Sequence, residues 1–180
     1  MKEQLQKDFD NTIRNLTLSQ KDIEIKKFYL DNFINKGFPN RKEEDWKFSD
    51  LNQIIKKNIG ELSFYSDYTS TNKVDTSAFV DGLEHNKIVF INGRIEKIDF
   101  DYEKKDQIEI IDQSETINKF NSNSSLSDLN SAFTNKSFKI VVKEGYQLTK
   151  PLIIYHTTNS KIWSKNINLR LNFELYEDSS

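Results

Sequence analysis

Apolar residues recur at helical spacing over the first 60 positions and at strand spacing over the last forty or so. Leu5, Phe9, Ile13 and Leu16 fall at intervals of four and three, one face of a first helix. Ser19-Gln-Lys-Asp22 fits a capping box, and the helix it opens is expected to place Ile23, Leu30, Phe33 and Ile34 on one side. Gly37 then supplies a left-handed stop and Pro39 prevents resumption. Asn40 with Glu43 predicts a short capped turn, and Asp50 with Gln53 opens another helix with Leu51, Ile54 and Ile55 on its apolar face, ended by Gly60.

Residues 63–86 are rich in Ser, Thr and Asp, have no clear period and read as a linker. Lys87–Ile91 is a strand, Asn92-Gly93 a tight hairpin turn, and 94–100 the return strand. Residues 107–111 form a further short strand. After a polar connector at 121–125, Ser125 or Ser127 caps a short helix carrying Leu126, Leu129, Ala132 and Phe133. Strands follow over 138–142, 151–156 and 167–176. In the last, Ile167, Leu169, Leu171, Phe173 and Leu175 face one way and Asn168, Arg170, Asn172, Glu174 and Tyr176 the other, the pattern of a half-buried strand. The even spacing of these strands suits a sandwich or successive coils of a β-helix, and periodicity alone does not separate them. Glu177-Asp178-Ser179-Ser180 reads as a turn and not as the polar cap of a coiled stack, so the chain is expected to be an N-terminal portion of something longer.

Composition narrows the chemistry. With 26 basic and 28 acidic residues spread along 180 positions, no whole-protein field calls for nucleic acid or an anionic membrane. The mean hydropathy of -0.72 resembles that of disordered chains, but 13 Phe, 7 Tyr and 2 Trp require a folded core. There is no Cys, which removes disulfides, thiolate nucleophiles and thiolate metal or cluster ligands from this chain. The start lacks a signal-peptide pattern and no apolar run approaches a membrane span, so a cytoplasmic location is the default.

No phosphate loop, nucleophile elbow or His-Glu-x-x-His helix is present, so no catalytic, cofactor-binding or metal residue is assigned. His85, in a polar turn, is expected to be solvated, and His156, at a strand end, to be structural or solvated. Glu43-Glu44-Asp45 suits capping and helix-dipole neutralisation better than metal binding, because adjacent side chains on a turn diverge. Lys26-Lys27-Phe28-Tyr29 interleaves bases and aromatics as a nucleic-acid surface would, but on an amphipathic helix it reads as a core edge beside a solvated face. Trp46 is expected to pack internally, with an interface anchor as the alternative.

Three segments in order carry a resemblance. Gly37-Phe-Pro-Asn-Arg-Lys-Glu-Glu-Asp-Trp-Lys-Phe-Ser-Asp-Leu51 is similar to a pattern near the start of SufD-like members of the SufB/SufD family, matching at Pro39, Arg41, Glu44, Trp46, Lys47, Phe48 and Leu51. Ile88-Val-Phe-Ile-Asn-Gly-Arg94 resembles that family's strand and turn. Leu129-Asn-Ser-Ala-Phe133 with 138–152 resembles its short helix and first coil. The family builds scaffolds for iron–sulfur cluster assembly. The resemblance implies an α+β chain: a helical N-terminal domain (1–62), a linker (63–86), a mixed strand and short-helix connection (87–137), and the first coils of a right-handed parallel β-helix (138–180). It further implies a non-catalytic scaffold that partners a SufB-like paralogue and a SufC-like ATPase. The family's cluster residues and ATPase contact lie in parts beyond the matched segments, so no ligand role carries over. Two other readings stand beside it: a stand-alone interaction module anchored by Trp46, and a β-helix enzyme acting on polysaccharide. The last is disfavoured because 138–176 hold only Glu144 and Glu174 as acids.

Overall fold

The computed structural model describes residues 2–59, 62–65, 73–114, 124–159, 162 and 165–180. It is an α+β protein divided into two compact units, each discontinuous in sequence.

The first unit comprises residues 1–66, 114–135 and 164–169. Helix α1 (Lys2–Arg14) buries Leu5 and Phe9, with Thr12 where the sequence pattern pointed to Ile13; Leu16 lies past the helix end and is half-buried. Helix α2 (Gln20–Lys36) begins at Ser19, whose Oγ accepts the Asp22 N–H at 3.2 Å. Its buried stripe is Lys26, Tyr29, Leu30 and Phe33, so Ile23 and Ile34 are only partly covered. The stripe turns because a later helix, α4 (Ser125–Phe133), ends against it. Lys26 Nζ donates to Ala132 O at 3.4 Å and Thr134 O at 2.5 Å, so a buried ammonium satisfies the terminal carbonyls of α4. At the other end, Asp128 in the first turn of α4 is buried and pairs with Lys36 at 2.9 Å. The cap position of α4 is Ser124, one residue before Ser125 and three before Ser127, the serines expected from the sequence.

Leu5, Phe9, Tyr29, Leu30, Phe33, Phe38, Ala132 and Phe133 form this unit's core. Phe9 meets Phe133 edge-on at 6.1 Å, and Phe64 stacks on Phe133 at 3.6 Å. Phe64 thus anchors the polar stretch that follows the helices. Its backbone forms a parallel bridge to Asn166, flanked by the bonds Tyr65 N–H to Asn166 O at 2.8 Å and Asn166 N–H to Ser63 O at 2.7 Å.

The second unit comprises residues 67–113, 136–163 and 170–180. Strand β1 (Asn86–Ile91) is central in a sheet ordered β2-β1-β5. It pairs antiparallel with β2 (Arg94–Asp99) through Asn92-Gly93, with φ of 52° and 80°. Two successive positive φ values define the turn that matches strand twist, as the Asn-Gly pair predicts. On its other side β1 runs parallel to β5 (Leu152–Thr157), Asn86 opposite Leu152 through Ile91 opposite Thr157. The second sheet is ordered β3-β4-β6: β3 (Ile108–Asp112), β4 (Lys136–Val142) and β6 (Leu169–Leu175). The three strands read as evenly spaced therefore do not neighbour one another in sequence order, since β5 joins β1 while β4 and β6 are adjacent.

The half-buried pattern expected of β6 is only partly realised. Phe173 is 54% and Leu175 57% exposed, because β6 ends its sheet and its apolar side is not covered at that end. The stop expected at Gly60 and most of the connector at 121–125 lie outside the described residues.

Lys26→Ala is expected to destabilise the protein by about 3 kcal/mol, since it opens a cavity and strands buried carbonyls. Lys26→Met, which keeps the packed stem, is expected to cost less. Urea unfolding curves of both variants measure the difference.

Candidate functional site

The segment from Gly37 to Ile55 is assembled from caps that fix which side chains are buried and which are presented. Gly37 adopts φ 72° and donates its N–H to Phe33 O at 2.7 Å, ending α2. The chain then turns Phe38 into the core, edge-on to Phe33 at 5.0 Å, and buries Pro39. Asn40 and Glu43 bind reciprocally: Glu43 Oε1 accepts the Asn40 N–H at 3.1 Å, Glu43 N–H reaches Asn40 O at 3.0 Å, and Asn40 Oδ1 takes the Lys42 N–H at 3.0 Å. A single 3-10 turn, Glu44–Trp46, follows. Asp50 Oδ1 then accepts the Gln53 N–H at 3.0 Å and starts α3 (Leu51–Ile54), which loosens into a π turn over Ile55–Ile59.

This joint presents aromatic surface. Phe48 is 91% exposed with the Lys47 ammonium 5.7 Å from its ring, Trp46 is half-buried, and Ile54 is exposed, whereas Leu51 and Ile55 pack on the core. Trp46 therefore falls between the two roles considered for it: it is neither in the buried core nor fully presented. The acidic triplet does not converge. Glu43 closes the cap, Glu44 pairs with Lys47 at 3.6 Å, and Asp45 is exposed. Among the described residues no group of three or more His, Asp or Glu side chains gathers as a metal site.

Lys26, Lys27, Phe28 and Tyr29 separate into a buried pair, Lys26 and Tyr29, and an exposed pair, Lys27 and Phe28. Lys26 is thus a core residue, beyond the core edge expected.

His85 corrects the expectation of a solvated turn. It is buried, with Nδ1 2.6 Å from Leu83 O and Nε2 2.8 Å from Tyr155 Oη. A carbonyl only accepts, so Nδ1 carries the proton and Nε2 accepts from the tyrosine hydroxyl. That hydroxyl in turn accepts the Val80 N–H at 3.1 Å, which ties the 80–85 segment to β5. Every polar atom of this relay is occupied, so it is a brace. His156 lies at the rim with one ring face stacked on Phe90 at 4.8 Å, and that desolvation lowers its pKa from the ordinary histidine value.

Glu103 is a functional-looking carboxylate that pattern reading passed over. Desolvation raises its pKa, but hydrogen bonds outweigh this and hold it at about 2: the Tyr146 hydroxyl at 2.6 Å, the Thr149 N–H at 3.0 Å, the Asn86 amide at 2.6 Å and the Lys150 N–H at 3.1 Å. Four donors from two segments converge on one carboxylate, which staples the 146–150 loop to the start of β1. No spacing signal announces it, because its partners are distant in sequence and half of them are backbone groups. Glu144 and Glu174 do not form a catalytic pair: Glu144 is an exposed turn residue and Glu174 pairs with Lys139.

No protein-family model matches the chain, and no curated protein matches it. No helix among the described residues is long and apolar enough to cross a membrane.

Two outcomes are expected. Phe48→Ser is expected to leave stability within about 0.5 kcal/mol of the parent, while Phe38→Ala costs about 3 kcal/mol, both read from chemical denaturation. For Glu103, the folded pKa lies below the unfolded value near 4.5, so its contribution is complete above about pH 4.5 and is lost as pH falls towards about 2. Glu103→Gln is expected to lower stability at pH 7 and flatten that acid limb, measured as melting temperature against pH.

Proposed function

We propose that this chain is a non-catalytic scaffold component of the Suf type of iron–sulfur cluster assembly, SufD-like, acting with a SufB-like paralogue and a SufC-like ATPase. The observation that carries the reading is the order of three family-like segments in the sequence. Each occupies a structural joint of the sort the resemblance implies: the capped turns after α2, the β1–β2 turn, and α4 leading into β4.

The parallel β1–β5 pair adds support for a β-helical body. Its facing residues Phe90 and His156 stack with rings 10° from parallel. Just past the strand ends, Asn92 Nδ2 donates to Asn159 Oδ1 at 3.0 Å and Asn159 N–H to Asn92 Oδ1 at 3.1 Å. Like-on-like stacking of rings and amides is how parallel, in-register strands stabilise one another from layer to layer. In this reading cluster chemistry belongs to the assembled complex, and residues 1–180 supply architecture.

A second reading, a stand-alone interaction module, is favoured by the 91% exposure of Phe48 beside Trp46. It moves the alternative anchor from Trp46 to Phe48.

The test is affinity purification of the tagged gene product from its native cells, with the co-purifying proteins identified by mass spectrometry. The scaffold reading expects a SufB-like protein and a SufC-like ATPase together. Recovery of neither overturns it. A partner lost on Phe48→Ser with the fold intact, in the absence of both, would favour the module.

A further inference from the structure

Asn92-Gly93 is the one Asn-Gly pair in the chain, and it forms the tight turn between β1 and β2. In this dipeptide a carboxamide carbon lies beside a backbone nitrogen that no Cβ shields, which favours attack of that nitrogen on the side chain. A connecting turn normally leaves its central residues in solvent. Asn92 departs from that pattern, since it is only 2% exposed at a φ of 52°.

Residues 157–159, at the end of β5 and just past it, hold it there. Asn92 N–H donates to Thr157 O at 3.0 Å. Its carboxamide is gripped at both polar atoms: Nδ2 donates to Asn159 Oδ1 at 3.0 Å, and Oδ1 accepts the Asn159 N–H at 3.1 Å. Thr157 Oγ1 donates to Phe90 O at 3.3 Å and ties the same segment to β1. The side chain best placed to react with its own backbone is thus pinned to a segment 67 residues along the chain.

We propose that Asn92 is a modification site guarded by this clamp. While residues 157–159 hold the carboxamide, it does not turn to meet the Gly93 nitrogen. When that end of the β1–β5 pair opens, the turn deamidates. Gly93 N bonds to Asn92 Cγ as the Cγ–Nδ2 bond breaks, and the Gly93 amide proton leaves with Nδ2 as ammonia. Water then opens the cyclic imide at either carbonyl, giving aspartate or isoaspartate. Water is the sole co-reactant, and nothing is oxidised or reduced. Neither product fits the closed turn. Aspartate places a charge on a buried site and leaves Asn159 Oδ1 facing an acceptor. Isoaspartate adds a main-chain carbon to the turn that sets Ile91 opposite Arg94. The step therefore records an opening of the β1–β5 junction and keeps it from reclosing. This inference rests on the turn and its clamp and does not depend on the scaffold reading.

The test ages the purified chain at neutral pH and quantifies aspartate and isoaspartate at position 92 by mass spectrometry of the peptide between Lys87 and Arg94. The folded parent is expected to react at least about tenfold more slowly than the same chain in urea, because an open conformer populated to about 10% or less limits it. Asn159→Ala removes one half of the grip and is expected to speed modification of the folded protein up to about tenfold, the scale a single hydrogen bond sets. Asn159→Asp keeps an acceptor for Asn92 Nδ2 and is expected to stay near the parent rate. Modified protein, separated by ion exchange, is expected to melt below the parent. Circular dichroism confirms the fold of each variant, and if Asn159→Ala does not fold, the comparison of the parent in buffer and in urea decides alone. Three results overturn the inference: a parent modified as fast when folded as in urea, a folded Asn159→Ala no faster than the parent, or modified protein that melts with the parent.

Discussion

Strand β1 is the constraint on which the second unit depends. Ile88, Val89, Phe90 and Ile91 are all buried, so the strand has apolar neighbours on both faces and no solvent to satisfy its backbone. Its two ladders supply that satisfaction, antiparallel from β2 and parallel from β5. The antiparallel ladder comes from a two-residue turn, but the parallel one must wait for residues 152–157, far along the chain. Polar side chains then close the strand's ends. Asn86 donates to Glu103 and to Lys150 O at the start, and Asn92 pairs with Asn159 at the finish. Each of these buried amides ties β1 to the distant segment that completes its sheet, so burial of four apolar residues dictates the polar chemistry around them.

The first unit solves a related problem with charge. A helix of nine residues such as α4 has little stability of its own and leaves carbonyls open at its end. Lys26 reaches those carbonyls from α2 while its methylenes lie in the core, and Lys36 meets Asp128 at the opposite end of α4. The two lysines lie on the one helix and grip both ends of the other. The aromatic layer of Phe9, Phe33, Phe64 and Phe133 supplies the apolar burial between them.

Elements set by local chemistry were legible in the sequence. Ser19, Gly37, Asn40, Asp50 and Asn92-Gly93 each act within a few residues, and each does in the structure what its side chain or φ preference predicts. Strand existence was legible too, because alternation is a property of single strands. Partnership was not. Nothing within residues 152–157 signals that they join 86–91 while 169–175 lie beside 136–142. Charged and polar residues that serve the interior were hidden for the same reason. Lys26 reads as part of a core edge beside a solvated face until the end of α4 is brought to it, and His85 reads as a turn residue until Tyr155 arrives from β5. Phe64, Val74 and Phe79 anchor a stretch whose composition announced only a linker.

Two phenylalanines ten residues apart bear on how a scaffold differs from an enzyme. Phe38 is buried and Phe48 is 91% exposed, and the caps between them decide which is which. Reciprocal Asn40–Glu43 bonding and the Asp50 cap occupy the polar side chains that would otherwise be free to do chemistry. The same holds at His85 and Glu103, where every donor and acceptor of a promising group is committed to holding two segments together. His85 and Glu103 are thus structural braces among the described residues, while apolar side chains at Phe48, Phe173 and Leu175 are left outward. Outward apolar side chains of this kind are what the proposed scaffold reading asks of a surface that meets other protein.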